Sequence, residues 1–180
     1  MKVGIFGGSF NPIQNAHLRI IKEVLDKKLV DEVWIMPCKD HPFDKKVESA
    51  EHRVSMIKLA IKEIKKIKVS YVELKSKGKS YTYNTVKELK EAYTHEFFLI
   101  VGSDLLKNIK KWNKYEELIK EISFIIFLRE GYPIKLPEDL KTLSIIKDNP
   151  NNTSSSGIRE LLIASKKVSQ FVPRGVEEYI

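Results

Sequence analysis

The order of segments along the 180-residue chain predicts an α/β fold, a Rossmann-like doubly wound parallel sheet. Three observations carry that expectation. Short apolar runs alternate with segments whose apolar residues recur at helical spacing. The run at 97–101 is continuously apolar, as a parallel strand covered on both faces must be. The first run empties into a glycine turn that leads straight into a helix, the order that builds a phosphate site.

Residues 3–6 form the first expected strand, and Leu18, Ile21 and Leu25 share one face of the helix after it. Residues 32–36 read as the second strand. Over 50–64, Val54, Ile57, Ile61 and Ile64 keep helical spacing. A strand at 69–72, a helix at 82–93 and the strand at 97–101 follow. Then come a helix at 115–122, a strand at 124–128 and a shorter one at 143–146. The helix at 156–164 turns Ile158, Leu161 and Leu162 inward, and a last short helix follows Pro173. Ligands of such a sheet bind beyond the carboxyl ends of its strands. The loops at those ends are 7–17, 37–49, 102–112 and 149–156. Nothing repetitive or of low complexity divides the chain, so 1–180 is expected to be a single domain with a small helical portion at its C-terminal end.

With 42% apolar and 31% charged residues the composition is that of a globular protein with a real core, not a disordered chain. No apolar run approaches the ~20 residues of a membrane span, and no secretory signal is apparent. The single cysteine, Cys38, excludes an internal disulfide and fits a reducing, cytoplasmic setting. The net charge of +8 is spread along the chain as scattered lysines. Without an arginine-rich or aromatic-interleaved module, it reads as a solvated surface plus a pocket for a polyanionic nucleotide, not as a nucleic-acid interface.

The chemistry concentrates in Gly7-Gly8-Ser9-Phe10-Asn11-Pro12 and Gln14-Asn15-Ala16-His17. Two glycines let a backbone approach a ligand closely. The following helix offers unpaired N–H groups and a partial positive charge. The string is neither G-x-G-x-x-G nor a P-loop with its lysine, and the two glycines taken alone fit an ordinary turn equally well. Late in the chain, Ser154-Ser155-Ser156 precedes an apolar helical run containing Arg159. Such serines serve as helix caps, as a second anion site with the guanidinium, or as both.

Residues 7–17 resemble the signature of the nucleotidyltransferase superfamily that carries H-x-G-H or T-x-G-H after Gly-Gly-Ser/Thr-Phe-Asp/Asn-Pro. Within it the chain is most similar to the bacterial nicotinate mononucleotide adenylyltransferases. That likeness rests on 30–37, Ser49-Ala50-Glu51-His52-Arg53, Ser80-Tyr81-Thr82-Tyr83-Asn84-Thr85, Gly102-Ser103-Asp104, Lys111-Trp112, 154–159 and the ending from Val172-Pro173. It covers nearly the whole chain in the right order. Four positions depart from the pattern: Gln14 replaces the first histidine, Ala16 the glycine, Asn84 an aspartate and Ser156 a threonine. A glutamine amide still donates to a phosphate oxygen but carries no charge.

The resemblance implies adenylyl transfer from ATP to nicotinate mononucleotide, giving deamido-NAD and pyrophosphate in NAD biosynthesis, with Mg2+ carried by the ATP phosphates and no protein metal site. It places His17, Gln14 and Arg159 in catalysis. It places Gly7, Gly8, Ser9, Phe10, Lys45, Gly102, Ser155, Ser156 and Ile158 at ATP. Thr85, Asp104 and Trp112 fall to the mononucleotide, Trp112 by stacking on its ring. Asp104 is equally placed to cap a helix. His41 and Lys46 lie near the expected phosphates, whereas His52 and His95 read as structural or surface residues and Trp34 as core. Other substrates stay open: nicotinamide mononucleotide, another phosphate nucleophile such as phosphopantetheine, or none in a nucleotide-binding protein that no longer turns over. The oligomeric state is open too, a homo-oligomer included.

Overall fold

A computed structural model describes residues 1–39, 47–76, 81–147 and 154–180. Its sheet has six parallel strands: β1 (Lys2–Gly8), β2 (Glu32–Pro37), β3 (Ile67–Val69), β4 (Glu96–Gly102), β5 (Ser123–Phe127) and β6 (Thr142–Ile146). Their order is β3-β2-β1-β4-β5-β6. The chain therefore runs outward from β1 in one direction, then crosses to β4 and runs outward in the other. The crevice between the carboxyl ends of β1 and β4 is the point where such folds bind ligands.

The helices are α1 (Asn15–Asp26), α2 (Ala50–Ile61), α3 (Val72–Lys75), α4 (Thr82–Ala92), α5 (Ser103–Leu106), α6 (Tyr115–Glu121), α7 (Ser155–Ile163) and α8 (Arg174–Glu177). The strand period of two sorts the apolar side chains between two cores. Phe6, Ile35, Phe98, Ile100, Ile125 and Phe127 pack with Ile21 of α1, Ile57 of α2, Ile158 of α7 and Val176 of α8. Val3, Ile5, Leu99, Val101, Phe124 and Ile126 face the other way, against Val86 and Leu89 of α4 and Leu118 of α6. Burial on both faces is what the continuous apolar runs require.

Three expectations are corrected. The third strand is Ile67–Val69, not 69–72, because β2 sets the register: Ile67 pairs with Val33, and the Ser70 N–H to the Ile35 carbonyl is the last rung. Val72 instead opens α3. The helix expected over 50–64 ends at Ile61, and Ile64, 40% exposed, lies off the core. The expected loop at 102–112 holds α5 and a 3-10 turn, Ile109–Lys111, both too short to show a period.

Phe124 is fully buried in a central strand. Replacing it with alanine is expected to cost about 3–5 kcal/mol of stability, read as a lower denaturation midpoint at an unchanged denaturant slope. A loss below 1 kcal/mol would contradict the two-faced core.

Candidate active site

The turn after β1 places the first set of site residues. Phe10 adopts φ +48°, a left-handed conformation rare for a bulky residue, and its ring is buried edge-on against Phe6. A Cβ on Gly8 would come within 3.1 Å of that ring, so Gly8 is fixed by internal packing. Among the described residues, a Cβ on Gly7 would meet nothing within 4 Å. Those residues give no packing reason for glycine at that position, whereas close approach of a ligand would.

Gln14 caps α1 in an extended conformation, and His17 is the third residue of the helix. The His17 Nδ1 accepts the backbone N–H of Gln14 at 3.2 Å. An accepting Nδ1 leaves the proton on Nε2, so the ring offers a donor on its other side. The ring lies edge-on to Phe6 and Phe10 and is only partly reached by solvent. Burial, and secondarily the positive charge of Arg129, push its pKa down to about 3. His17 is therefore a neutral hydrogen-bond donor at physiological pH, not a cation.

The second helix end meets the first directly. Ser154 caps α7, its hydroxyl accepting the Gly157 N–H at 3.1 Å. Ser155 donates its hydroxyl to the Pro12 carbonyl at 3.0 Å and accepts from the Gln14 amide at 3.4 Å. Arg159 donates through Nη1 to the Asn11 carbonyl at 2.8 Å and through Nη2 to the Ser156 hydroxyl at 3.2 Å. Residues some 140 positions apart thus bring the N-termini of α1 and α7 to one place, and their side chains stitch the two ends together. Ser154 meets the simple capping expectation, while Ser155 and Arg159 hold carbonyls of the other turn. The side chains of Phe10 and Ile158 are buried in the core, leaving only their backbones for a ligand.

At the neighbouring end of β4, a Cβ on Gly102 would collide with the Asp104 carboxylate. The Asp104 Oδ2 accepts from Arg129 at 2.8 Å, while its buried Oδ1 has no partner among the described residues. Gly102, not Asp104, stands at the N-cap of α5, so the capping alternative for Asp104 does not apply. Ser103 accepts the Arg129 N–H at 2.9 Å and donates to the Tyr132 carbonyl at 2.7 Å, joining the ends of β4 and β5.

Thr85 and Trp112 lie on the α4 face of the sheet. The Thr85 hydroxyl is directed at Glu73 and at the Tyr81 carbonyl, each at 3.3 Å. Burial pushes the Glu73 carboxyl up to about 7, against the lowering effect of that hydrogen bond. Trp112 is half-buried against the second core cluster, with part of its surface still open. Trp34 is a core residue that donates to Glu32, and His52 bonds the Tyr179 hydroxyl at 2.8 Å. Lys45, His41 and Lys46 lie outside the described residues. A cavity of about 360 Å³ lined by Trp34, Lys68, Tyr71 and Tyr93 shares no residue with this site. Among the described residues no helix is long and apolar enough to cross a membrane.

Three participants were not singled out by sequence reasoning: Arg53, Arg129 and Glu73. Arg53 carried a readable signal. It falls on the buried stripe of α2 with Ile57 and Ala60, where an apolar residue is expected, and it is 1% exposed. Arg129 follows the carboxyl end of β5, the edge of the sheet that binds ligands. Glu73 carried none, since the expected strand hid α3.

A family model described as cytidylyltransferase-like matches residues 5–161. The nicotinate-nucleotide adenylyltransferase of Bacillus subtilis is 37% identical over 99% of this chain and 95% of its own length. Two structures of the Plasmodium falciparum nicotinic acid mononucleotide adenylyltransferase are similar over 99% of this chain and 94% of theirs. One, complexed with NaAD, has a TM-score of 0.83 at 26% identity, and the other, complexed with APC, has 0.79 at 25%.

The folded His17 pKa lies below its unfolded value of 6.5, so His17 contributes stability that is complete above pH 6.5 and lost as pH falls toward 3. Its ring C–H NMR signals are expected not to titrate between pH 5 and 8, and the midpoint to rise in Arg129→Ala. A midpoint near 6.5 in the unaltered protein would contradict this environment.

Proposed function

Since the chain belongs to the cytidylyltransferase-like family, we propose that it transfers the adenylyl group of ATP to nicotinate mononucleotide, giving deamido-NAD and pyrophosphate in NAD biosynthesis. The observation that carries this reading is the junction of two helix N-termini, α1 and α7, beside the imidazole of His17. A triphosphate needs several fixed donors around it, and two helix ends supply them without reorganisation.

In the reaction a 5′-phosphate oxygen of the mononucleotide attacks the α-phosphorus of ATP in line. The new P–O–P bond forms as the bond from the α-phosphorus to the bridging oxygen breaks, and pyrophosphate leaves with that oxygen and its electron pair. No covalent enzyme intermediate is needed, so the protein supplies alignment and charge stabilisation. The Nε2–H of His17 donates to an α-phosphate oxygen as negative charge builds there. Being neutral, it spends no proton and acts by hydrogen bonding alone. The backbones of Gly7, Gly8, Ser9 and Phe10 approach the phosphates on one side. The first turn of α7, set by Ser155, Ser156 and Arg159, receives them on the other, and Ile158 and Gly102 offer backbone only. Gln14 links the two helix ends in place of a first histidine.

The mononucleotide falls to Asp104, Thr85 and Trp112. Asp104 has a buried carboxylate oxygen without a partner among the described residues, and Trp112 presents an apolar plane to a flat ring. Magnesium carried by the triphosphate would neutralise part of its charge. Phosphate oxygens and water are the ligands such a hard cation would take there.

Pyrophosphate release from ATP and magnesium, measured separately with nicotinate and nicotinamide mononucleotide, tests the reading. Turnover is expected with the nicotinate form, and its absence with both would refute the assignment. His17→Ala is expected to lower kcat by about 10²–10³ while the KM for ATP stays within about threefold. Equal losses in both would make His17 a plain binding residue.

A further inference from the structure

Arg53 is 1% exposed and spends its guanidinium on three backbone carbonyls from three separate segments. Nε donates to Glu48 at 2.9 Å, Nη1 to Ser9 at 2.9 Å and Nη2 to Cys38 at 2.8 Å. None of its described partners is a carboxylate. Burying a guanidinium carries a large desolvation cost, which charge-assisted hydrogen bonds offset only when the fork is filled. An unbranched apolar side chain such as methionine would fill most of that space without the cost. The arginine therefore does something at this point that packing does not.

Two of the three carbonyls stand at the ends of strands. Ser9 follows β1 and Cys38 follows β2, neighbours in the sheet. In a trans peptide the C=O and the next N–H point to opposite sides. Holding the Ser9 carbonyl turns the N–H of Phe10 away from Arg53, and holding the Cys38 carbonyl does the same for Lys39. Carbonyl oxygens facing an anion would repel it, whereas N–H groups facing it form a nest. The α1 side of the site lacks the charge of a first histidine, so the orientation of these peptides matters all the more.

We propose that Arg53 is a positioning residue for the triphosphate: it fixes the peptides after β1 and β2 with their N–H groups toward the ligand and adds a buried positive charge behind them. It touches no substrate and acts through the Ser9 and Cys38 carbonyls. Only the identity of the anion rests on the adenylyl-transfer reading.

Arg53→Lys and Arg53→Met, checked for folding by circular dichroism, test this. A lysine keeps the charge but offers donors from one atom, so it does not span three carbonyls. In Arg53→Lys the KM for ATP is expected to rise about tenfold, the size of one lost hydrogen bond to a charged group, while the KM for the mononucleotide stays within about twofold. Arg53→Met is expected to lose more, with lysine as the partial rescue. The rise in Tm caused by ATP should shrink in the same order. A folded Arg53→Lys whose KM for ATP and ATP-induced Tm rise both match the unaltered protein would overturn the proposal, even if its own Tm were lower. Should Arg53→Met not fold, Arg53→Lys decides alone. If the unaltered protein transfers no adenylyl group, the functional reading fails, and the ATP-induced Tm rise still decides the role of Arg53.

Discussion

Four carbonyl oxygens between Gly8 and Pro12 are held back by donors from elsewhere in the chain. Gly8 is held by the Cys38 N–H at 2.9 Å, Ser9 by Arg53, Asn11 by Arg159 and Pro12 by Ser155. These donors come from the end of β2, from α2 and from α7. With Pro12 lacking an N–H, the turn has one more backbone acceptor than donors, and an anion site needs the acceptors out of the way. The fold meets that need by packing three other segments behind the turn. The left-handed Phe10, the glycine beneath its ring and the capped start of α1 all belong to the same arrangement.

Electrostatics follow from it. His17 is kept neutral by burial and by Arg129, and Gln14 is neutral by nature. Among the described residues, the positive character of the site therefore comes from the guanidinium groups of Arg53, Arg129 and Arg159 and from two helix N-termini. Arg129 is paired with Asp104, so part of its charge is already balanced. Replacing the first imidazole with an amide is tolerable where donors matter more than a titrating group. The Gln14 amide also reaches Ser155 and so joins the two helix ends.

Much of the fold was legible because its determinants are local. Continuous apolar runs marked the inner strands, and the 3.6-residue period marked α1 and α2. The third strand was misplaced because Val69-Ser70-Tyr71-Val72 has strand composition, yet pairing with β2 uses up the ladder by Ser70. In the site, the glycine turn, Gln14, His17 and the α7 serines were legible as a motif, and the structure brings them together. What the motif could not say is which side chains hold the carbonyls. Arg159 and Ser155 looked like direct phosphate ligands, and each is directed at a carbonyl of the α1 turn. Arg53 and Arg129 act at distances of tens of residues in sequence, and nothing in their immediate neighbours announces their partners.

The most direct measurement is a crystal structure with an ATP analogue that cannot be cleaved between its α- and β-phosphates. The triphosphate is expected between the N-termini of α1 and α7, with an α-phosphate oxygen within hydrogen-bond distance of the His17 Nε2 and the turn carbonyls facing away. A triphosphate bound elsewhere on the sheet, or a turn that reverses its carbonyls toward the ligand, would contradict it.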